Sequence, residues 1–137
     1  MRFGATITDA EGLRLTDDER ALFRQMNPFG FILFARNIES ADQVRALCDD
    51  FRESVGRNCP ITIDQEGGRV QRLRAPLARE WLPPLDHADR AGDAAERAMY
   101  LRYRLIAHEQ QSRSTLLHSG NGCAGQVRKK LRACQLT

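Results

Sequence analysis

The chain has 137 residues, of which 42% are hydrophobic and 28% are charged, with a formal net charge of +3. This length suits one domain, and the composition is that of an ordinary soluble globular protein. No apolar run approaches the ~20 residues that a membrane helix needs, and the N-terminus lacks the apolar segment of a secretory signal, so we expect a cytoplasmic protein without a membrane partner.

The excess of positive over negative charge comes from the end of the chain. Residues 1–109 contain 16 basic and 18 acidic residues, whereas residues 110–137 contain five basic residues and no acid. Both lysines, Lys129 and Lys130, lie in this last segment. We therefore predict a domain at 1–109 and a basic tail at 110–137. Apolar periodicity also stops near residue 110, which favours an aberrant or disordered tail, such as a frameshift product, over a merely flexible basic one.

A strand and a helix are the first predicted elements. The strand covers residues 4–8 and ends at Asp9. Thr16 and Glu19 have the spacing of a capping box, which predicts that a helix begins at the next residue after Thr16. This helix is predicted to end before the Asn-Pro step at 27–28, because the residue before a proline disfavours helical backbone. The residues that we predict toward the core are Ala21, Leu22 and Met26.

A second strand and helix follow. Residues 31–34 form a continuous apolar run, which is typical of a strand buried on both faces in a parallel sheet. Ser40 and Gln43 have the spacing of a second capping box, and Gly56 is a typical helix end. Between them, one helical stripe with the spacing i, i+3, i+4 and i+7 consists of Val44, Leu47, Cys48 and Phe51.

The third strand is followed by a connection of unusual length. The strand covers residues 60–63 and stops at Asp64. The segment 67–87 contains three prolines and is predicted to be irregular, and loops this long are usually functional or disordered. A third helix is predicted over 93–109, with its core side made by Ala95, Ala98, Met99, Leu105 and Ile106.

The order β-α-β-α-β-loop-α predicts an α/β fold with a parallel sheet. Doubly wound sheets and (β/α)₈ barrels both begin this way. We favour the barrel because all three strands end in polar residues, namely Asp9, the pair Arg36 and Asn37, and Asp64, and barrel active sites collect the C-terminal ends of strands. A complete barrel needs about 250 residues. The fold class is therefore predicted as the first three β/α units of a (β/α)₈ TIM barrel, incomplete.

Asp64 and Arg72 are the candidate binding residues. A carboxylate accepts two hydrogen bonds from the vicinal hydroxyls of a sugar, and an arginine a few residues later donates to the remaining oxygens through its planar guanidinium. The alternatives are structural: Asp64 could cap a helix or pair with Arg69, and Arg72 could be a surface residue. Gly67 and Gly68 are predicted to serve the backbone of a tight turn.

Two motifs resemble the start of a family 3 glycoside hydrolase. They are GFILFARN at 30–37 and IDQEGGRVQRL at 63–73, and the resemblance covers roughly residues 3–109. The nearest likeness is to the bacterial cytoplasmic β-N-acetylhexosaminidases of peptidoglycan recycling. It implies a (β/α)₈ barrel, monomeric and without a cofactor, that removes terminal N-acetylglucosamine from peptidoglycan-derived saccharides. It also assigns Asp64 and Arg72 to binding the non-reducing sugar.

The resemblance leaves the catalytic groups unaccounted for. A retaining glycosidase uses two groups flanking the scissile bond, and in the resembled enzymes these are an Asp on a late strand and a His on a loop past mid-barrel. No KHFPGHG-like segment and no acid follow Glu109. We therefore predict no catalytic residue in this chain, which makes it an inactive fragment of a hydrolase.

Other classes of function remain open at this stage. One alternative is a non-catalytic sugar-binding module, and another is a small α/β domain with a basic tail. Nucleic-acid binding is not expected, because the basic cluster at 128–132 is short and the domain is net acidic. No phosphate-binding glycine motif occurs. The four cysteines, Cys48, Cys59, Cys123 and Cys134, lack metal-binding spacing, so reduced thiols and no metal are predicted.

Overall fold

Three short parallel strands, with two helices against one face, form the first half of the described chain. The structure is a computed structural model and describes residues 2–113, with side chains up to residue 110. Its elements, in chain order, are β1 (Gly4–Thr8), α1 (Asp17–Met26), β2 (Pro28–Leu33), α2 (Ala41–Val55), β3 (Ile61–Ile63), β4 (Gln65–Gly67), β5 (Val70–Gln71), α3 (Pro84–Ala91) and α4 (Ala95–Arg113). Short 3-10 turns at Ala35–Asn37 and Gly92–Ala94 precede α2 and α4.

The sheet has the order β1-β2-β3, with every pair parallel. Thr8 lies opposite Phe31, and Phe31 lies opposite Ile61. Since each parallel neighbour is reached through a helix, the chain has an α/β architecture, as the alternation of elements predicted. The sequence misplaced β2 by a few residues, because the strand begins at Pro28 rather than at Phe31.

Helix ends follow the predicted caps with one correction. The Thr16 hydroxyl accepts from the Glu19 N–H and the Glu19 carboxylate accepts from the Thr16 N–H, so the first capping box is complete. At α2 only half of the predicted box forms. Ser40 accepts from the Gln43 N–H, but the Gln43 side chain accepts from the Glu39 N–H instead. Its amide nitrogen is then free to donate to the carbonyl oxygens of Leu13 and Asn37.

The core lies between the sheet and the two helices, and three phenylalanines form its centre. The Phe31 and Phe51 rings stack with their centroids 4.0 Å apart, and Phe23 meets Phe31 edge-on at 5.2 Å. The predicted stripe of α2 is confirmed, because all four of its residues are buried: Val44, Leu47, Cys48 and Phe51. Apolar burial and ring packing are therefore the main source of stability here.

The predicted core face of α1 is wrong. Ala21 is exposed, Leu22 and Met26 are 49% and 39% exposed, and Phe23 is 3% exposed. The helix carries apolar residues on more than one side, and packing against Phe31 selects the side with the largest ring. Spacing within the helix could not decide between these sides.

The opposite face of the sheet is open, which corrects the prediction that β2 is buried on both faces. Phe31 and Leu33 point toward the helices and are buried, whereas Ile32 is only half-buried. On the neighbouring strands, Thr62 is exposed and Ile7 is 51% exposed. At Ile7, Ile32 and Thr62, the described residues therefore leave this face of the sheet at least partly uncovered.

The segment predicted as one long irregular connection is more ordered than expected. The end of β4, the whole of β5, which pairs with β4 in an antiparallel hairpin, and the start of the helix α3 lie within it. Pro84 stands at the first helical position of α3, where the missing N–H of proline costs nothing, so a residue interpreted as a loop marker begins a helix. The last helix, predicted from residue 93, begins at Ala95. Leu105, predicted toward the core, is 44% exposed.

A buried carboxylate joins α2 to the chain around α1. Asp50 is 4% exposed and accepts hydrogen bonds from Arg14 and Arg20, at 2.6 and 2.7 Å. Burial by itself raises the pKa of the Asp50 carboxyl, but the hydrogen bonds and charges of the two arginines outweigh burial and hold the pKa below its ordinary value.

Cys48 and Cys59 are free thiols of the core. Burial raises the pKa of Cys48 to about 12 and raises that of Cys59 as well. Cys123 and Cys134, and all of the predicted tail after residue 113, lie outside the described residues. None of the helices within residues 2–113 is long and apolar enough to cross a membrane.

Candidate functional site

The β4-β5 hairpin brings the two candidate residues together. Asp64 comes one residue before β4 and Arg72 one residue after β5. Because Gln65 pairs with Gln71 across the hairpin, the residues flanking them are set opposite each other. The Arg72 guanidinium donates through Nη2 to Asp64 Oδ2 at 3.3 Å. The structure therefore brings the two candidate residues into contact, at the C-terminal end of β3.

Two buried glutamines hold this hairpin in shape. The Gln65 side-chain oxygen accepts from the backbone N–H groups of Arg72 and Leu73, both at 3.0 Å. Gln71 accepts from the Trp81 N–H at 3.0 Å and donates to the Arg79 carbonyl oxygen at 2.6 Å. One glutamine therefore fixes the start of the loop after β5, and the other fixes its end.

A second carboxylate–guanidinium pair lies at the ends of β1 and β2. Arg36 forms an ion pair with Asp9 and donates through Nε to the Ala10 carbonyl oxygen at 3.3 Å. The ring of Phe34 connects the two pairs, since the guanidinium carbons of Arg36 and Arg72 lie 4.9 and 5.8 Å from its centroid. Both contacts are within the range of cation–π attraction.

The two carboxylate–guanidinium pairs, Asp64–Arg72 and Asp9–Arg36, form one charged cluster, but not every polar residue at a strand end faces it. Asn37 is fully buried and donates to the carbonyl oxygens of Ala10 and Gly12, at 2.9 and 2.8 Å. Its side-chain oxygen accepts from the Phe34 N–H. Asn37 therefore ties the loop after β1 to the end of β2, which is a structural role.

The four charged side chains of the cluster remain partly open to solvent. The side chains of Asp64 and Arg72 are 44% and 26% exposed, and those of Asp9 and Arg36 are 30% and 51% exposed. A carboxylate and a guanidinium in contact offer acceptors and donors side by side. This arrangement suits a ligand with neighbouring hydroxyl groups, which can donate to Asp64 and accept from Arg72.

Several residues of the site were not predicted from the sequence. They are Phe34, Gln65, Gln71 and Arg102, a residue of α4 that donates to the Glu66 carbonyl oxygen in β4. A Gly-Gly pair between two short strands is a hairpin signal, and it could have placed residues 65 and 71 opposite each other. Trp81 donates through Nε1 to Glu109 at 3.4 Å. Among residues 2–113, no group of three or more His, Cys, Asp and Glu side chains could hold a metal ion.

Comparison with known proteins identifies relatives of one kind. No protein-family model matches the chain. A β-hexosaminidase of Pseudomonas aeruginosa is 43% identical over 76 residues, which are 56% of this chain and 23% of that protein. A β-hexosaminidase of Vibrio cholerae is 34% identical over 120 residues, which are 84% of this chain and 36% of that protein.

Solved structures point the same way. NagZ from Neisseria gonorrhoeae, in complex with N-trifluoroacetyl-D-glucosamine, superposes with a TM-score of 0.68 at 29% identity, over 81% of this chain and 34% of that one. A family 3 β-N-acetylglucosaminidase from a Paenibacillus strain gives a TM-score of 0.67 at 27% identity, over 80% of this chain and 21% of that one. The chain is a relative of the family 3 glycoside hydrolases. It spans about a third or less of the length of the relatives in this family.

Proposed function

We propose that residues 1–109 are three β/α units of a (β/α)₈ barrel of a β-N-acetylhexosaminidase, and that Asp64 and Arg72 bind a terminal N-acetylglucosamine unit. The observation that carries this proposal is the contact between Asp64 and Arg72 at the C-terminal end of a parallel strand. Active sites of such barrels lie at this end of the strands. The binding of an N-acetylglucosamine derivative by the gonococcal relative supports the choice of sugar.

Binding, rather than hydrolysis, is the activity proposed for this 137-residue chain. Retaining hydrolysis requires two catalytic groups placed about 5–5.5 Å apart across the sugar, and we assign neither group to a residue of this chain. The open face of the sheet, where Ile7 and Thr62 are exposed, fits a barrel interior that further strands would cover. The substrate class is proposed to be peptidoglycan-derived saccharides, in the cytoplasm.

Titration with N-acetylglucosamine, followed by NMR or calorimetry, tests the binding site. Asp64→Asn is expected to weaken binding at least about tenfold, since a hydrogen bond to a charged group contributes about 1.5–3 kcal/mol. Asp42→Asn is the matched control, because Asp42 also pairs with an arginine, Arg45, but on the exposed surface of α2. Equal affinity of Asp64→Asn and the wild type would contradict the proposed site, and so would a wild type that does not bind.

Hydrolysis of an aryl N-acetyl-β-glucosaminide separates the binding module from an enzyme. We expect no turnover by the purified chain above that of an Asp64→Ala variant. Turnover that depends on Asp64 would show that this chain contains a complete catalytic site, contrary to the proposal.

A further inference from the structure

Arg102 is a buried arginine in a helix stripe that is otherwise apolar. It is 1% exposed on α4, where Ile106 is buried one turn later and Met99 is half-buried one turn earlier. Within residues 2–113 it has no carboxylate partner, and its Nε and Nη1 atoms lack a hydrogen-bond partner. A charge placed in such a setting is costly, and the contacts that Arg102 does make have to offset that cost.

Those contacts join two segments that are separate along the chain. Arg102 Nη2 donates to the carbonyl oxygen of Glu66, in β4, and to the carbonyl oxygen of Leu82 at 2.7 Å. The guanidinium carbon also lies 5.6 Å from the centroid of the Trp81 ring. One nitrogen atom therefore bridges the hairpin and the segment that leads into α3.

The hairpin leaves no room for a side chain at this junction. Gly67 has a φ of +110°, and a Cβ atom built there would lie 2.5 Å from the Leu82 carbonyl oxygen and 2.9 Å from Trp81 Cβ, besides meeting Arg102. The next N–H, that of Gly68, donates to the Trp81 carbonyl oxygen at 2.7 Å. The backbones of the hairpin and the 81–82 segment are thus in direct contact, and Arg102 bonds to a carbonyl oxygen of each.

This junction is connected to the proposed sugar site by short segments of the chain. Glu66 follows Asp64 by two residues, and the Trp81 N–H donates to the side-chain oxygen of Gln71, the neighbour of Arg72. We propose that Arg102 is a positioning residue that clamps the β4-β5 hairpin to the 81–82 segment and thereby holds Asp64 and Arg72 at their working separation. The inference rests on the proposed function for its last step, and the clamp itself does not depend on which ligand binds.

A planar guanidinium suits this task better than the alternatives. It presents several N–H donors in one rigid plane. A lysine ammonium has three N–H donors and could also bond both carbonyl oxygens, but it has no planar face to lie against the indole. A methionine would restore an apolar stripe on α4 and leave both carbonyl oxygens without the donor.

Arg102→Met and Arg102→Lys test the clamp, with Arg104→Met as the control. Arg104 lies on the same helix, two residues away, and is exposed. The chain has one tryptophan, so its fluorescence reports on Trp81 alone. In Arg102→Met we expect a shift of Trp81 emission to longer wavelength and faster amide exchange at Gly68, Arg72 and Leu73. Both changes should be smaller in Arg102→Lys. Neither should occur in Arg104→Met.

Sugar affinity is the second readout. Arg102→Met is expected to weaken N-acetylglucosamine binding about tenfold, the equivalent of one lost charge-assisted hydrogen bond, with Arg102→Lys intermediate. If Arg102 only stabilised the fold, Arg102→Met would speed amide exchange in the hairpin and in α2 alike. The sugar affinity of the folded protein would then be unchanged. That result would overturn the proposal.

The two proposals fail in different ways. If the wild type does not bind the sugar, the proposed function fails, and hairpin exchange together with Trp81 emission still decides the clamp. If the wild type binds but Arg102→Met leaves emission, exchange and affinity unchanged, the clamp is wrong and the function stands. Should Arg102→Met not fold, the same readouts in Arg102→Lys decide the matter.

Discussion

The helix-covered half of the sheet and the hairpin that follows it are held together by different kinds of contact. In the first region, Phe23, Phe31 and Phe51 pack ring against ring in an apolar core. In the second, buried side chains of Gln65, Gln71 and Arg102 bond to backbone N–H and carbonyl groups. Apolar packing tolerates small shifts, whereas a hydrogen bond weakens steeply when its geometry changes.

This difference matches what each region has to do. The core supports the strands, and many apolar residues of similar size would serve that purpose. The hairpin has to place Asp64 against Arg72, and each of its buried polar groups is costly if it loses its partner. Substitutions in the two regions should therefore differ in kind: global loss of stability in the core, and local loss of geometry in the hairpin.

The largest expected effect is in the core. Phe23→Ala should lower the free energy of unfolding by about 3–5 kcal/mol, the usual cost of removing a buried ring. Leu22→Ala, one residue away and 49% exposed, should cost about 0.5 kcal/mol or less. Urea unfolding followed by circular dichroism measures both. Similar losses of stability for the two variants would contradict the packing of α1 against the core through Phe23.

Gly67→Ala should have the next largest effect and should act on the hairpin. The methyl group would meet Trp81 and Leu82, and the backbone has a φ of +110°, so we expect a loss of about 2–3 kcal/mol from overpacking and strain. Gly56→Ala is the control. Its φ is +62° but nothing lies within 4 Å of a built Cβ, so about 1 kcal/mol of backbone strain is expected. Equal losses would show that the close approach at Gly67 relaxes at no cost.

The smallest expected effect is at Asp50 and depends on pH. Asp50→Asn should cost about 1 kcal/mol at neutral pH, because the arginine partners stay partly solvated and the gain from the pair is screened. The folded state lowers the pKa of Asp50. The advantage of the wild type is therefore present above the unfolded pKa of about 3.9 and is lost as the pH falls through the lower folded pKa.

Urea unfolding over a series of pH values measures this difference. Asp49→Asn is the control, because its side chain is 73% exposed beside Arg52, and it should unfold like the wild type. A wild-type advantage that persists unchanged at the most acidic pH would contradict the assignment to Asp50.

The elements held by local signals could be predicted from the sequence. The complete capping box at Thr16, the stripe from Val44 to Phe51 and the helix end at Gly56 all depend on residues within one or two turns. The core side of α1 could not be predicted, because it depends on where Phe31 lies in another element. Helix α3 was missed because prolines were interpreted as loop markers, although Pro84 occupies a position that suits it.

For the candidate site, the sequence motif selected Asp64 and Arg72, and the structure places them in contact. Their role in sugar binding remains a prediction. Arg102 was not selected, because its partners are carbonyl oxygens of Glu66 and Leu82, and backbone acceptors carry no signal in side-chain identity. An arginine in line with Met99 and Ile106 on an otherwise apolar stripe is the one feature that could have indicated it.

The two buried cysteines of the core make its opening measurable as a rate of chemical modification. Alkylating reagents and oxidants attack the thiolate, and burial both excludes reagents from Cys48 and Cys59 and keeps their thiols protonated. We therefore expect these two residues to react only when the core around them opens. The rate at which they are modified is therefore expected to report how often the core opens.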